Sequence, residues 1–343
     1  MAALHSRKGI PRIVVPDLIG LPRPVIRAGL PCRHGVRDLP AVTRVGKKQV
    51  WVTRWMTDGL ELPHGMDWLW YVAILAVATA AQANHRLRFQ SLAEAQRLAS
   101  QVGAGKCGTV LRKRMLDALR RLALARFGWA KAELGDGNML ASRQLMTEPI
   151  LRISSALASV LWPDGYPAGA QIELDDSDLW LEPTVRHLAM ALEAPFRVPT
   201  DIFRAMAGRP HLMSLALVIA TYAQAASRPL VLGRTSWEII TNRLFQAPPR
   251  VKDAETISLP FGRVRERVLE AVAWLESACS QAGFAGAVKI FDPKVVNAYG
   301  YSVTRRTGQQ IPERTEQKVN EPGRPRERWL LAISPAGPPF VRS

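Results

Sequence analysis

The residues whose type and spacing bear on chemistry are basic. Between about 109 and 125, Leu111, Met115, Ala118, Leu119 and Leu122 recur at i, i+4, i+7, i+8 and i+11, the stripe of a helix packed against a core. At 100° per residue, Lys113, Arg120 and Arg121 fall on the opposite side, with Arg112 and Arg114 on its flanks. One acid, Asp117, stands against these five cations. A guanidinium donates twice in one plane, to guanine O6 and N7 or to phosphate oxygens, so such a face suits a polyanion. A second long helix, about 262–281, would turn Val264, Val268, Ala271, Val272 and Leu275 inward. Arg263, Arg267 and Trp274 fall on another side with Glu266 and Glu270, and Arg265 adds a third cation. Either helix alone could equally be a solvated basic face. The repetition of the arrangement favours binding.

Other patterns carry less. Ser100-Gln-Val-Gly-Ala-Gly-Lys-Cys107 approaches a phosphate-binding loop, but serine replaces its first glycine and cysteine its magnesium-ligating hydroxyl. It also follows a helix rather than a strand, so a helix-ending turn that places Lys106 near a DNA phosphate is the better reading. The histidines at 5, 34, 64, 85, 187 and 211 show neither H-x-H nor H-E-x-x-H spacing, and no metal site is expected. His64, between Pro63 and Gly65, reads as a turn residue. Asp175, Asp176 and Asp178 lack the glycine and terminal glutamate of a calcium loop. Tyr166, Tyr299 and Tyr301 have no neighbouring base or metal to activate them as nucleophiles. No enzymatic activity and no cofactor are expected.

Composition agrees with a polyanionic partner. The 343 residues are 48% hydrophobic and hold 46 Lys+Arg against 29 Asp+Glu, a net charge of +17. Such a balance attracts nucleic acid, or an acidic membrane surface, without specifying a sequence. Cys32, Cys107 and Cys279 are far apart and form no C-x-x-C pair, which argues against a disulfide framework and fits a reducing cytoplasm. No long apolar stretch follows the basic N-terminal residues, so no secretory signal is expected. Trp68–Ala83 is sixteen residues without a charge, short of the ~20 a membrane span needs, and reads as a buried core helix. No membrane partner is expected.

The elements that must position these cations form a plan that occurs twice, at about 66–131 and 210–292. An apolar helix is followed by a short strand, a second helix and a long arginine-bearing helix. In the first copy these are a helix at 67–83 with Asp67 as N-cap, a strand at His85–Gln90, a helix from Ser91 whose Glu94 completes a capping box, and the 109–125 helix. Phe127–Glu133 and the turn Gly135-Asp-Gly137 would begin a wing, with Lys131 on it. In the second copy, helix 210–226 precedes a strand at 228–232 and a helix from Thr235 or Ser236 to Phe245. A loop at 247–260 and the 262–281 helix follow. Ala287–Phe291 and Ala298–Val303 would pair as the second wing, carrying Lys289, with Arg305 and Arg306 beyond. Glu173–Leu181 reads as an acidic strand-turn-strand.

The expected fold class is therefore α+β, mainly α: two tandem winged-helix domains with short β-hairpin wings. Residues 1–50 form a basic, disordered arm, because residues 1–54 hold eleven Lys/Arg against Asp17 and Asp38 and are dense in proline. Residues 51–200 make the first winged-helix domain plus a connector, 201–306 the second, and 307–343 a flexible tail in which Trp329–Ile333 could add a strand.

Gly59-Leu-Glu-Leu-Pro-His-Gly-Met-Asp67, the apolar helix after it and Leu119-Arg-Arg-Leu122 resemble the start of plasmid replication initiators of the RepA type. Phe203-Arg-Ala-Met-Ala-Gly-Arg-Pro-His-Leu-Met-Ser-Leu-Ala-Leu is similar to the opening of their second half. The resemblance spans about 55–300 and lies in pattern and order. It implies tandem winged helices that bind repeated origin sites on double-stranded DNA and promote opening of the origin. It further implies recruitment of a host initiator and helicase, and allows a homodimer. A winged-helix transcriptional regulator is the alternative. A peripheral membrane protein using the basic arm and Trp68–Ala83 is a third reading.

Overall fold

A computed structural model of the chain describes residues 13–32, 34–44, 49–58, 60–81, 85–105, 108–133, 145–174, 177–193, 195–225, 230–233, 244–245, 261–283, 288–291 and 328–333. In chain order the first elements are β1 (Leu18–Pro22), α1 (Arg23–Ala28), β2 (Asp38–Arg44), β3 (Gln49–Thr57), α2 (Asp67–Ala80), β4 (Leu87–Phe89), α3 (Leu92–Ser100), α4 (Thr109–Leu124) and β5 (Ala125–Glu133). Then come β6 (Glu148–Pro149), β7 (Leu151–Ser154), α5 (Ser155–Leu161), β8 (Gln171–Glu173), β9 (Leu179–Pro183), α6 (Val185–Glu193) and β10 (Pro195–Pro199). The last are α7 (Thr200–Met206), α8 (Pro210–Ala225), β11 (Leu230–Gly233), α9 (Phe261–Gln281), β12 (Val288–Phe291) and β13 (Arg328–Ile333).

The N-terminal segment is not the unstructured arm that its charge and prolines suggest. From residue 13 onward it is built into the core: Ile19, Leu21, Val25, Ile26 and Leu30 are fully buried. β1 pairs antiparallel with β10, from Leu18 opposite Pro199 to Pro22 opposite Pro195. α1 packs on α8, where Ser214 Oγ accepts from Leu30 N at 2.9 Å and donates to Leu30 O at 2.8 Å. The prolines sit where their missing N–H costs little. Pro24 lies in the first turn of α1, and Pro40 lies on β2, an edge strand. The apolar side chains of these short elements face inward, and Arg27 is buried with them, its Nη2 donating to Thr221 O at 3.4 Å.

α2 is buried almost all round, as an uncharged run from Trp68 to Ala80 requires. Its N-cap position is Met66, and Asp67 lies inside the first turn rather than capping it. The Asp67 carboxylate instead accepts from His64 N at 2.9 Å, closing the preceding turn. At α3, Ser91 holds the N-cap position in an extended conformation, and Glu94 Oε2 accepts from Gln90 N at 2.8 Å. That is the reach-back half of a capping box, displaced by one residue.

β4 joins the sheet β4-β9-β7-β8, antiparallel except for the β7–β8 pair. β5, the expected wing strand, lies elsewhere. It is an inner strand of the antiparallel sheet β2-β3-β5-β6, paired with β3 from Gln49 opposite Glu133 to Thr57 opposite Ala125. Alternation along Ala125–Glu133 specifies a half-buried strand but not its partner, and that partner comes from far upstream, before α2.

In the second half, α9 packs against α7 and α8. The strands order β11-β13-β12, all antiparallel. Arg328–Ile333, where the sequence reading allowed a strand within the C-terminal tail, is the middle strand of a sheet, with Ile290 opposite Leu331. The remainder of that tail, the turn at 135–137, the 235–243 helix, the 247–260 loop and the strand at 298–303 lie outside the described residues. Among those described, no helix is long and apolar enough to cross a membrane.

Candidate nucleic-acid interface

α4 is backed by α2, α3 and α5, and Leu111, Met115, Ala118, Leu119 and Leu122 are all buried, as the periodicity requires. Its outer face divides along the helix axis. In the first turns Arg112, Lys113 and Arg114 are exposed, and none makes an ion pair with a described residue. About 12 Å further along, eight residues at 1.5 Å each, the face closes. Arg120 Nε donates to Leu161 O at 2.6 Å and its Nη1 to Asp117 Oδ1 at 3.1 Å.

Arg121 grips Asp67 with both arms of its fork, Nε to Oδ2 at 2.7 Å and Nη2 to Oδ1 at 3.0 Å, while Nη1 reaches Glu61 Oε1 at 3.4 Å. The Asp67 side chain is 4% exposed and that of Arg121 18%. Burial opposes the Arg121 charge, but the hydrogen bond and charge of Asp67, with Glu61 and Asp117, outweigh it and raise its pKa above the usual value. Arg120 and Arg121 are therefore engaged in the fold, in contrast to the outward cations that the helical projection suggests. A projection gives the side of a helix, not how high its neighbours rise along the axis.

The other sequence candidates are dispersed. Lys131 is exposed on β5, with Nζ 5.7 Å from the Trp129 ring. Arg267 is half-buried, paired with Glu270 at 3.0 Å and set over the Phe245 ring at 5.6 Å. Trp274 is not an outward residue: its Nε1 donates to Met206 O at 3.2 Å, and Arg209 stacks on its ring at 5.0 Å. Arg263 and Arg265 lie in the first turns of α9 and Lys289 on β12 opposite Ala332. Lys106, Arg305 and Arg306 lie outside the described residues.

The remaining sequence signals resolve into structural roles. At the near phosphate-binding loop, Gly103 has φ +103°, and a Cβ there would stand 2.6 Å from the Ala207 Cβ. The glycine lets the end of α3 approach α7. In the acidic strands, Glu173 and Glu182 pair with both Arg86 and Arg152, and Asp178 with Arg88. Asp175 and Asp176 lie outside the described residues. His187 is fully buried beside Tyr71, with Nε2 2.8 Å from the Tyr71 hydroxyl, and burial lowers its pKa to about 3. It is a neutral core histidine.

Two features escape the sequence reading. Arg97 is exposed on α3, which packs against α4. His34, Glu61 and His64 bring their ligand atoms within 4.8 Å of one another. The second set has no local spacing signal because its members come from two loops.

No family model matches the chain, and no curated protein matches it. Among solved structures it is similar to domains 2 and 3 of RctB. One, a selenomethionine derivative, gives a TM-score of 0.40 at 10% identity, covering 74% of this chain and 82% of that one. The other, RctB residues 155–483, gives 0.39 at 10% identity, covering 73% and 82%. A likeness of this degree assigns the chain neither activity nor partner.

Proposed function

We propose that this chain is a double-stranded DNA-binding replication initiator that acts without catalysis, reading repeated origin sites through two winged-helix units. The observation that carries the reading is the exposed, basic N-terminal half of α4. Arg112, Lys113 and Arg114 project, exposed and without an ion pair to any described residue, from a helix whose other half is clamped by Arg121 and Asp67. Recognition helices contact base edges with their N-terminal residues while their bodies are braced by the domain, and the division of α4 suits that docking. The shared strand order supports the tandem arrangement. In both halves the strand after the apolar helix pairs with the last strand of the sheet, which is central: β4-β9-β7 and β11-β13-β12.

In the first unit β7 and β9, not β5, then occupy the positions of the wing strands. Arg112, Lys113 and Arg114, with Arg97 beside them, are the phosphate and base contacts of this unit. Arg263, Arg265 and Lys289 are those of the second, and Lys106, Lys131, Arg305 and Arg306 add flanking phosphate contacts. The net charge of +17 supplies the sequence-independent part of the affinity. Opening of an adjacent origin region and recruitment of a host initiator and helicase complete the proposed role.

Binding-site selection with the full chain tests the reading, followed by transformation with a plasmid carrying only the selected site and this gene. Direct repeats and autonomous replication are expected. Palindromic sites with repression alone would replace the initiator by a transcriptional regulator, and failure to retain any duplex at low salt would remove DNA binding altogether.

A further inference from the structure

Among the described residues one cluster outside the α4 face has the composition of a metal site. His34 lies in the loop between α1 and β2, and Glu61 and His64 lie in the loop between β3 and α2. Their ligand atoms all fall within 4.8 Å of one another. The imidazole rings of His34 and His64 stand 5.2 Å apart, centroid to centroid, at 73°. Two imidazoles bound tetrahedrally at a Zn–N distance of about 2.0–2.1 Å have centroids about 5 Å apart, so the pair is already spaced for a shared ion.

The surroundings hold the ligands in position. His64 Nδ1 lies 3.0 Å from Leu62 O, to which it donates, and 3.7 Å from Glu61 Oε1. A metal-binding histidine is oriented in this way, by donation from its other nitrogen to a backbone carbonyl. Gly35 N donates to Glu61 Oε2 at 2.6 Å, fixing the carboxylate against the loop that carries His34. The two loops are pinned by backbone bonds, Leu62 N to Val36 O at 2.7 Å and Thr57 N to Arg37 O at 3.1 Å.

Two cations oppose an ion here: Arg121, whose Nη1 lies 3.4 Å from Glu61 Oε1, and Arg37, which lines the adjoining cleft of about 410 Å³. Arg121 is already neutralised by Asp67, and Arg120 in the same cleft by Asp117. With Arg37 counted, Asp67, Glu61, Arg121 and Arg37 sum to zero around the two imidazoles.

We infer that His34, Glu61 and His64 bind a zinc ion that fastens the N-terminal loop to the turn leading into α2. Two imidazoles and one carboxylate suit Zn²⁺ and not the hard cations Mg²⁺ or Ca²⁺, which take oxygen ligands. Three protein ligands leave a fourth position for water. Glu61 also touches Arg121, so the ion would brace the same clamp that holds the C-terminal half of α4.

The test is a titration of the full-length chain, free of any histidine tag and stripped with chelator, with Zn²⁺ against a chromophoric chelator. One equivalent is expected to bind. H34A, H64A and E61Q should each weaken binding at least tenfold, while H85A and H211A leave it unchanged. His34 is exposed, so H34A is expected to fold, and circular dichroism checks this for every variant. H34C gives an independent readout: it should retain Co²⁺ and add a thiolate-to-cobalt charge-transfer band that the wild-type chain lacks. Absence of stoichiometric binding by the folded wild-type chain would overturn the site, as would full affinity in both H34A and H64A. Equal competition by Mg²⁺ would overturn it too.

Discussion

Replacing Arg121 by alanine should cost the fold and spare the proposed DNA binding, whereas replacing Arg112, Lys113 and Arg114 should do the reverse. Asp67 is almost wholly buried, and two of its contacts are the Arg121 bonds at 2.7 and 3.0 Å. Without the guanidinium, a buried carboxylate keeps the His64 amide but no countercharge. Breaking one side of a buried pair costs about 3–5 kcal/mol. Arg121 keeps some solvent contact, so a loss near 3 kcal/mol is expected for R121A in urea unfolding. R121K should fall between the two, because lysine restores the charge without the fork. The triple variant R112A/K113A/R114A removes only exposed side chains and should stay within about 0.5 kcal/mol of wild type per residue. Anisotropy of a labelled mixed-sequence duplex between about 50 and 200 mM salt reads the other half. Each phosphate contact contributes about 0.9 to the log–log slope, so the triple variant should flatten it by up to about 2.7. R121A, measured where it is folded, should keep the wild-type slope. If R121A loses less than about 0.5 kcal/mol and flattens the slope, Arg121 is a DNA ligand and the clamp reasoning is wrong.

Three further outcomes rest on other buried contacts. His187 has its pKa lowered from 6.5 to about 3 in the fold, so it favours the folded state above pH 6.5, and this contribution is lost as pH falls from 6.5 toward 3. At pH 5 the loss is about 2 kcal/mol, and unfolding at pH 7.5 and 5 should show it in wild type but not in H187Q; parallel pH curves would contradict a neutral buried imidazole. Gly29 has φ +70°, and a Cβ there would stand 2.5 Å from Leu244 Cδ2 and 3.0 Å from Ser214 Oγ. G29A should therefore lower stability by about 2–4 kcal/mol, and a loss below about 1 kcal/mol would mean that α1 does not approach α8 this closely. Deletion of residues 1–31 removes β1 and α1 and bares the buried faces of α8 and β10. Cooperative unfolding should be lost; a truncated chain melting at the wild-type midpoint would show the segment to be dispensable after all.

Much of the helical framework was legible in the residue order, because a buried helix writes its period of 3.6 into the chain. The α4 stripe from Leu111 to Leu122, the uncharged run of α2 and the long α9 were all visible, with ends displaced by a few residues. Charge was legible too, since +17 depends on no contact. What a strand pairs with, and what covers a cation, are long-range facts with no local trace. β5 alternates as a wing strand would, yet its partner β3 lies upstream of α2, and nothing local in either strand marks the pairing. Lys113 and Arg121 share one face of one helix, about two turns apart. Asp67, 54 positions before Arg121, and Glu61 make the arginine structural, while the lysine stays exposed with no ion pair to a described residue. His34 and His64, thirty residues apart, likewise meet only because backbone bonds draw two loops together. Composition and periodicity settle which faces are oily and which are charged. Tertiary contacts decide which charges remain for a partner, because pairing depends on distance in space and not along the chain.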